Sequence, residues 1–326
     1  MADTQVAALG QALQRAVSSV IIGKDARITL LLSALLARRH VLLEDAPGTG
    51  KTTLVKALAR AIGASFGRLQ FTPDLLPTDV TGFNAYDPRT GNFSFREGPV
   101  FRQLLLVDEI NRASPKTQSA LLECMEECQV SVDGVTYPLP DPFLVLATQN
   151  PVEYEGTFPL PEAQLDRFGI KLALGYPGRD EEVALLDRFL DLDPLADLVP
   201  VCTVADVVAA QHACRAVHVD QGVKQYAVDL CVATRRHPEV ALGASPRATL
   251  ALVALAQAHA ALLGRDYVLP DDIKTVAPWC LPHRVLLAPA ARWREQTPDG
   301  VVGAVLRSVP VPTVPVAARR AAAQPR

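Results

Sequence analysis

The sequence predicts an α/β fold, in which a three-layer domain built on a parallel β-sheet is followed by a smaller helical domain. Through about residue 175, short apolar runs alternate with helical segments, an order that places parallel strands between two layers of helices. From about residue 178 to 305 the chain is rich in Ala, Leu and Val and carries helix signals. Its 326 residues, 49% of them hydrophobic, suffice for both domains.

Four apolar segments are the candidate strands of the sheet. Each is almost continuously apolar, which is typical of strands that are buried on both faces. They are His40–Glu44, Gly67–Thr72, Leu104–Val107 and Phe143–Thr148. Two hairpins fall outside this alternation and are expected at the surface. Asp133-Gly134 turns between two alternating strands, and a looser hairpin spans Asn84 to Phe95.

Helix signals organise the second part of the chain. Thr203 with Asp206 three residues later forms a capping-box pattern, and Ser245-Pro246 predicts the start of a helix that runs to about Leu263. Pro177-Gly178 is the expected hinge between the domains. The last stretch is rich in Pro, Ala, Val and Arg without periodicity, which predicts disorder. The predicted units are therefore residues 1–176, 177–308 and the tail 309–326.

Composition and charge narrow the functional classes. The formal net charge of −3 and the pI near 6.1 provide no general attraction to nucleic acid or to an anionic membrane. The N-terminus lacks a signal-peptide pattern, and the strongest apolar run, Ile28 to Ala37, is too short to cross a bilayer. Six cysteines form no CxxC pair and no metal-ligand grouping with the histidines. These features predict a cytoplasmic protein without membrane insertion.

A glycine-rich loop joins the first predicted strand to a predicted helix. Gly48 and Gly50 allow the backbone to wrap closely around phosphates, and the helix that starts near Lys51 directs its positive end at them. Lys51 is expected to reach the β- and γ-phosphates of ATP, and the Thr52 hydroxyl to bind Mg²⁺. Asp45 replaces the usual first glycine and should be tolerated, because Asp adopts a left-handed backbone more readily than most residues. The expected nucleotide-binding residues of the loop are Pro47, Gly48, Thr49, Gly50, Lys51, Thr52 and Thr53.

The third predicted strand ends in two carboxylates, Asp108 and Glu109. Beside a phosphate-binding loop, Asp108 can hold Mg²⁺, usually through water, and Glu109 can polarise the attacking water as a general base. A glutamate next to the magnesium-binding aspartate favours hydrolysis over simple nucleotide holding. The pair therefore predicts an ATP hydrolase.

Three more polar residues are candidates for the site. Asn150 follows the fourth predicted strand, at the carboxyl edge of the sheet where ligands bind in open α/β folds. Arg167 lies near the end of the first domain, and Arg247 lies just inside a helix of the second. Each candidate also has a purely structural explanation. Taken one at a time, the same residues could be an incidental lysine, a solvated strand end, a turn asparagine or a surface arginine.

The order of these motifs resembles the MoxR family of AAA+ ATPases, from about Val20 to Leu306. The matching segments are specific and occur in one order. They are Ile21-Ile22-Gly23, Pro47–Thr52, Gln70–Pro77, Asp79–Gly82, Asp108–Ala113, Ala147–Pro151, Leu160–Phe168 and Gly243–Arg247. The resemblance implies a P-loop AAA+ α/β domain followed by an all-α lid domain.

The resemblance also implies roles that the residues alone do not give. Ile21, Ile22 and Gly23 would border the adenine, and Asn150 would be the first sensor of the nucleotide. Arg247 would be the second sensor, contacting the nucleotide from the lid, and Arg167 would be the arginine finger that reaches a neighbouring subunit. Hydrolysis would then require a ring, usually a hexamer. Family members act like chaperones on client complexes, commonly with a von Willebrand factor A domain adaptor protein.

Two other functional classes compete with a remodelling ATPase. AAA+ relatives with similar hairpins act on nucleic acid, but here Arg89 and Arg96 are offset by Asp87 and Glu97, so the first hairpin carries no basic stripe. A non-hydrolysing, nucleotide-gated scaffold is the other class, and the intact pair of carboxylates argues against it. The identity of the client is not encoded in any pattern of the sequence.

Overall fold

The computed structural model describes residues 2–89, 91–150, 157–191 and 194–312. The predicted tail lies outside the described residues from residue 313 onward. The helices are α1 Ala2–Ser18, α2 Asp25–Leu36, α3 Lys51–Ile62, α4 Pro77–Thr81, α5 Pro115–Glu127, α6 Glu162–Leu165, α7 Arg179–Asp191, α8 Pro194–Asp197, α9 Val204–Ala216, α10 Gln221–Arg236, α11 Pro246–Leu262, α12 Pro270–Cys280, α13 Pro289–Arg292 and α14 Pro298–Ser308. Within these ranges, no helix is both long and apolar enough to cross a membrane.

The strands form one parallel sheet and three small antiparallel pairs. They are β1 Val41–Glu44, β2 Phe66–Gln70, β3 Gly82–Asp87, β4 Asn92–Glu97, β5 Leu104–Asp108, β6 Gln129–Val132, β7 Val135–Pro138, β8 Leu144–Gln149, β9 Ile170–Leu172, β10 Val240–Leu242 and β11 Leu286–Leu287. The parallel sheet has the order β2-β5-β8-β1-β9. The four predicted strands correspond to β1, β2, β5 and β8, with ends shifted by one or two residues at most. The three-residue strand β9 was not predicted.

The central strands are apolar throughout because both of their faces are buried. All five residues of β5 are buried, and its side chains alternate between two hydrophobic clusters. Leu104 and Leu106 join the cluster on one face of the sheet, whereas Leu105 and Val107 join the cluster on the other. Each fully buried side chain of this kind stabilises the fold by about 2 kcal/mol relative to an exposed one. This alternation places helices on both faces and gives the predicted three layers.

The two predicted hairpins are β3–β4 and β6–β7, and they contact each other. Asp133 and Gly134 have φ values of 50° and 80°, as a tight two-residue turn between twisted strands requires. The Phe95 ring stacks on Tyr137 with centroids 4.1 Å apart. The Asn84 amide donates a hydrogen bond of 2.6 Å to Asp133. The hairpins therefore form one layer and are not two independent additions.

The second domain is helical, apart from the short antiparallel pair β10–β11. The capping box at Thr203 and the N-cap at Ser245 are both present, as the sequence predicts. The long helix α11 packs against α1 and α2 in the same hydrophobic cluster that covers one face of the sheet. Gly10 of α1 is needed there, because a Cβ atom at this position would lie 2.3 Å from the side chain of Leu262.

The lid lies at the amino-terminal edge of the parallel sheet. Gln211 donates a hydrogen bond of 2.8 Å to the carbonyl of Leu35, near the end of α2 and just before β1. His283 Nε2 lies 3.0 Å from the carbonyl oxygen of Phe168, just before β9. Both contacts involve chain segments that precede a strand of the sheet. These parts of the lid and the carboxyl ends of the strands are therefore on opposite sides of the sheet, whereas α12 packs beside the edge strand β9.

Candidate active site

A cleft of about 410 Å³ opens at the carboxyl ends of the strands. It gathers the loop after β1, the end of β2, the acid pair after β5 and the end of β8. Its lining consists of Asp45, Pro47, Gly48, Thr49, Gly50, Lys51, Thr52, Thr53, Arg68, Gln70, Asp108, Glu109, Thr148, Gln149 and Asn150. The predicted loop residues, both carboxylates and Asn150 thus meet in one place.

The loop has the conformation that a phosphate-binding backbone needs. Gly48 and Gly50 have φ values of 82° and 87°, a region that side chains with a Cβ atom rarely adopt. A Cβ atom at either position would meet nothing within 4 Å, so the space next to both glycines is open. Helix α3 begins directly after Gly50, which places its first N–H groups at the loop. Together these features form a cradle for anionic oxygens.

Asp45 holds the loop in place, but not for the reason predicted from the sequence. Its backbone is not among the described residues with positive φ. Instead, its carboxylate accepts hydrogen bonds from the backbone N–H groups of Ala46, Leu174 and Gly175, at 3.0, 2.7 and 2.9 Å. Asp45 therefore ties the start of the loop to the segment after β9, a role that a glycine could not fill.

Lys51 lies at the base of the loop. Its ammonium group donates hydrogen bonds to the carbonyl oxygens of Asp45 and Ala46, at 2.9 and 2.7 Å. Burial lowers the pKa of Lys51, and the nearby carboxylates of Asp45 and Asp108 oppose this effect. A cation that is only partly neutralised and lies beside an open cradle is suited to bind phosphate.

Asp108 has a partner that the sequence did not reveal. The Arg68 guanidinium donates from Nε to the Asp108 carboxylate at 2.6 Å. The Thr148 hydroxyl lies 3.4 Å from the other carboxylate oxygen. Arg68 and Gln70 are two residues apart on β2, so their side chains point to the same face of the sheet. That alternation at the end of a strand was the available signal for both residues.

Glu109 is held by three side chains. Its carboxylate accepts hydrogen bonds from Gln70 at 2.8 Å and from Arg112 at 2.9 Å. Its backbone N–H donates to the Thr148 hydroxyl at 2.9 Å, and its φ value of 56° is unusual for a residue other than glycine. Such conformations persist only where the surroundings enforce them, and they cluster at functional sites. Glu109 is therefore positioned independently of Asp108, although the two are adjacent in sequence.

Thr52 and Asp108 fit the ligand set expected for Mg²⁺. Hydroxyl and carboxylate oxygens suit this ion, which usually keeps several waters and takes its other ligands from substrate phosphates. Among the described residues, no group of three or more His, Cys, Asp and Glu side chains could hold a metal without such help. The donor set therefore fits magnesium bound together with a nucleotide.

Ile22 and Gly23 lie outside the lining of the cleft. Gly23 has a φ of 70° and packs against α7, where an added Cβ atom would lie 1.8 Å from Glu181. Lys24 donates a hydrogen bond of 3.1 Å to the carbonyl of Tyr176. The segment thus lies next to the predicted hinge. Its contact with adenine stays a prediction.

Arg167 and Arg247 are together, but not at the cleft. Both form ion pairs with Glu126, Arg167 at 3.0 Å. They line a second cavity, which also includes His40, Phe143 and Gly169, the residues that immediately precede β1, β8 and β9. This cavity lies at the amino-terminal edge of the sheet, whereas the phosphate-binding loop lies at the carboxyl edge. A contact of Arg247 with the nucleotide of its own chain therefore does not fit the position of the lid.

Comparison with known proteins places this geometry in a family. A family model described as ATPase family associated with various cellular activities (AAA) matches residues 40–170, and one described as AAA lid domain matches residues 232–302. Chaperone MoxR1 of Mycobacterium tuberculosis is 43% identical over 91% of this chain and 81% of its own length. Protein MoxR of Methylorubrum extorquens is 35% identical, over 92% and 94% respectively. The chain belongs to the MoxR family of AAA+ ATPases.

Other MoxR-like chains agree over nearly the full length. YeaC of Bacillus subtilis, described as uncharacterised, is 52% identical over 93% of this chain and 95% of its own. A crystal structure of a proposed ATPase from Cytophaga hutchinsonii has a TM-score of 0.89 and 38% identity, and covers 96% of this chain and 97% of its own. The core-plus-lid arrangement is therefore shared with a solved structure of a related sequence.

Proposed function

We propose that this MoxR-type chain hydrolyses Mg·ATP and couples hydrolysis to chaperone-like remodelling of a partner protein complex. The observation that carries the proposal is the cleft at the carboxyl edge of the sheet. It combines an open phosphate cradle, a lysine at its base and two separately held carboxylates. A protein that only bound nucleotide would not need the second carboxylate, Glu109.

Each group in the cleft has a distinct task in this proposal. Backbone N–H groups of residues 48–52 and the Lys51 ammonium bind the phosphates of ATP. Thr52 and Asp108 hold the magnesium ion, which neutralises charge on the phosphate oxygens when it is bound. Glu109 accepts a proton from the attacking water, and Asn150 orients that water or the γ-phosphate. Gln70 and Arg112 position the carboxylate of Glu109 through the hydrogen bonds described above.

The site is completed by another subunit. Arg167 and Arg247 are on the edge of the sheet opposite to the cleft, so they can contact a nucleotide only if it belongs to an adjacent copy. This arrangement supports a closed ring, with a hexamer as the expected size. An arginine that arrives in trans stabilises the charge of the transition state without any contribution to nucleotide binding by its own chain.

Phosphate release from purified protein tests the proposal. Wild-type protein should hydrolyse Mg·ATP, Lys51→Ala should lose nucleotide binding, and Glu109→Gln should bind ATP but lose turnover by at least about a hundredfold. Absence of turnover in an assembled wild-type protein would overturn the proposed function. Glu109→Gln that retains the wild-type rate would instead assign the general base to another residue.

Substitution of the arginine finger gives a second test. We expect Arg167→Ala to leave ATP affinity nearly unchanged and to reduce kcat by about a thousandfold or more, because the charge is missing only in the transition state of the neighbour. Equilibrium binding and phosphate release on the same preparation measure the two effects. If ATP affinity is lost together with turnover, Arg167 does not act across a subunit boundary.

The partners are inferred from the family and are open to direct test. We propose a client complex and an adaptor with a von Willebrand factor A domain as partners, with no role for nucleic acid. The Glu109→Gln variant with ATP should retain both in a pull-down, and Lys51→Ala should not. The described cysteines are all free, which suits the reducing cytoplasm that we propose as the location.

A further inference from the structure

The cavity at the amino-terminal edge of the sheet is lined by several arginines. It measures about 320 Å³ and lies between the core and the lid helices α9 and α11. Core and lid each contribute basic side chains to it. They are Arg38, Arg39, Arg167, Arg215, Arg247 and Arg284. Among the described residues, two carboxylates, Glu126 and Asp166, share this lining.

Most of these guanidinium groups have a carboxylate partner. Arg38 pairs with Asp141 at 2.9 Å, and Arg284 pairs with Asp166 at 2.8 Å. Arg167 and Arg247 both use Glu126, so a single negative charge balances two positive ones. The cavity therefore keeps an excess of positive charge after every described ion pair is counted.

Four of the six arginines form the ion pairs described above, and among the described residues Arg39 and Arg215 form none. Arg215 is exposed to solvent, whereas Arg39 is half-buried. In the part of the chain that the structure describes, no ion pair and no hydrogen bond of its side chain is found, and its Nε is buried without a partner. The start of its side chain packs against Gly169, where an added Cβ atom would lie 2.3 Å from the Cβ atom of Arg39. Burial lowers the pKa of Arg39, and Arg284, Arg215 and Arg247 lower it further.

An unpaired, partly buried cation next to other cations destabilises the isolated chain. An anion bound among these groups would remove that cost. A terminal phosphate group matches the requirement, because it carries more than one negative charge and its oxygens accept the paired N–H donors of guanidinium groups.

We propose that Arg39 is part of a phosphate site in this cavity and contacts the terminal phosphate of ATP bound by an adjacent copy of the chain, beside Arg167 and Arg247. The inference rests on the proposed function, which places those two arginines in trans. It adds a residue from the segment between α2 and β1, which neither the motifs nor the family resemblance singled out. The same chemistry would also accept free inorganic phosphate, so the experiment separates the two sources.

Arg39→Met tests the role of the charge, because methionine keeps an unbranched stem. Arg102→Met is the control, since Arg102 is an exposed arginine that lines neither cavity. We expect Arg39→Met to lower kcat by roughly thirtyfold while ATP affinity and assembly are unchanged. Its melting temperature should not fall, because an uncompensated charge is removed. Arg39→Lys should recover part of the rate, and Arg102→Met should hydrolyse ATP at close to the wild-type rate.

Mixing two defective variants tests whether the contact is made in trans. Arg39→Met has an intact loop, and Lys51→Ala has an intact Arg39. Randomly mixed rings should therefore regain roughly a quarter of the wild-type rate at the boundaries that combine both. To test whether the cavity binds free phosphate, inorganic phosphate is added to Lys51→Ala protein. A rise in melting temperature that disappears in the Lys51→Ala/Arg39→Met double variant would show that the cavity takes free phosphate.

The outcomes separate the alternatives. Recovery on mixing supports the nucleotide of the neighbouring copy as the source of the phosphate. Stabilisation by inorganic phosphate without recovery supports a phosphate site in the cavity but contradicts the neighbouring nucleotide as its ligand. Unchanged kcat in Arg39→Met together with no phosphate effect overturns the inference, while a wild-type enzyme that hydrolyses ATP leaves the proposed function intact. A fall in melting temperature or loss of assembly in Arg39→Met would make Arg39 a structural residue and also overturn it. If the wild type does not hydrolyse ATP, the proposed function fails, and the phosphate arm still tests the cavity.

Discussion

Arg68 and the magnesium ion compete for the same carboxylate if Asp108 has its proposed role. The guanidinium lies 2.6 Å from Asp108, and the Arg68 side chain is 53% exposed, so it can move away at little cost. Exposed ion pairs contribute about 0.2 to 1 kcal/mol, and this pair is screened by water on its Arg68 side although only 11% of the Asp108 side chain is exposed. The contact is therefore strong enough to orient the carboxylate and weak enough to be replaced by a divalent ion.

Removal of Arg68 should consequently favour the binding of Mg²⁺ to Asp108. We expect Arg68→Ala to lower the Mg²⁺ concentration for half-maximal ATP hydrolysis by about threefold, in line with the strength of an exposed pair. A magnesium titration at saturating ATP measures this shift. Arg102→Ala is the control, since Arg102 is an exposed arginine outside the cleft. A higher magnesium requirement in Arg68→Ala would mean that Arg68 helps to assemble the metal site.

His40 makes stability depend on pH. The buried ring accepts the backbone N–H of Val145 at Nδ1 (3.0 Å), and its Nε2 lies 2.9 Å from the Met125 carbonyl oxygen, to which it donates in this tautomer. Protonation would set a second N–H against Val145, and burial lowers the pKa of His40 from 6.5 to about 4. Because the folded state binds this proton less readily than the unfolded chain, the contribution is fully present above pH 6.5. It is lost as the pH falls from 6.5 towards 4.

The expected loss from His40 is about 3 kcal/mol of unfolding free energy over that pH range. Urea unfolding at pH 7.5, 5.5 and 4 measures it in the wild type and in His40→Gln, which can form similar hydrogen bonds without titrating. The variant should show a smaller dependence on pH, with the remainder contributed by groups such as buried His283, whose pKa is also lowered. Identical slopes for both proteins would contradict this assignment.

The loop after β1 is stabilised by its link to the segment after β9. Asp45→Ala would leave the N–H groups of Leu174 and Gly175 without their acceptor, and each buried unsatisfied group costs about 1 to 3 kcal/mol. We expect a loss of about 3 kcal/mol in unfolding free energy and weaker ATP binding, since the loop starts at this residue. Asp87→Ala is the control, because Asp87 only accepts the nearby N–H of Arg89 in an exposed turn. If the two variants lose equal stability, Asp45 is not an anchor.

Elements with a strong local pattern were predictable from the sequence. The strands β1, β2, β5 and β8, the hairpin at Asp133-Gly134 and the N-cap at Ser245 each depend on neighbouring residues and were placed within one or two positions. The strand β9 and the pair β10–β11 were missed, because two or three residues are too few to establish a period. Tertiary pairing alone makes these segments extended.

Only those residues of the site that belong to sequence motifs could be predicted. Lys51, Asp108 and Glu109 belong to one cleft because all of them follow parallel strands, and this is a consequence of topology. The carboxylate ties of Asp45 and the contact of Arg68 with Asp108 join segments 40 to 130 positions apart, so no local pattern encodes them. The position of Arg247 at the opposite edge likewise depends on how the lid packs.

Arg284 links the packing of the lid to the proposed role of Arg167 in hydrolysis. Its buried guanidinium donates to the Asp166 carboxylate and to the carbonyls of Phe168 and Gly169, and it therefore joins the end of α12 to the segment before β9. Arg284→Ala should lower the unfolding free energy by about 4 kcal/mol, because Asp166 is left without its cation and several carbonyls lose their donor. Asp166 lies next to Arg167, so turnover should fall while ATP binding at the other edge of the sheet persists. Chemical denaturation, ATP binding and phosphate release on one preparation measure the three quantities. If the variant loses ATP binding together with stability, core and lid unfold together. Arg284 would then have no separate effect on Arg167, the proposed arginine finger.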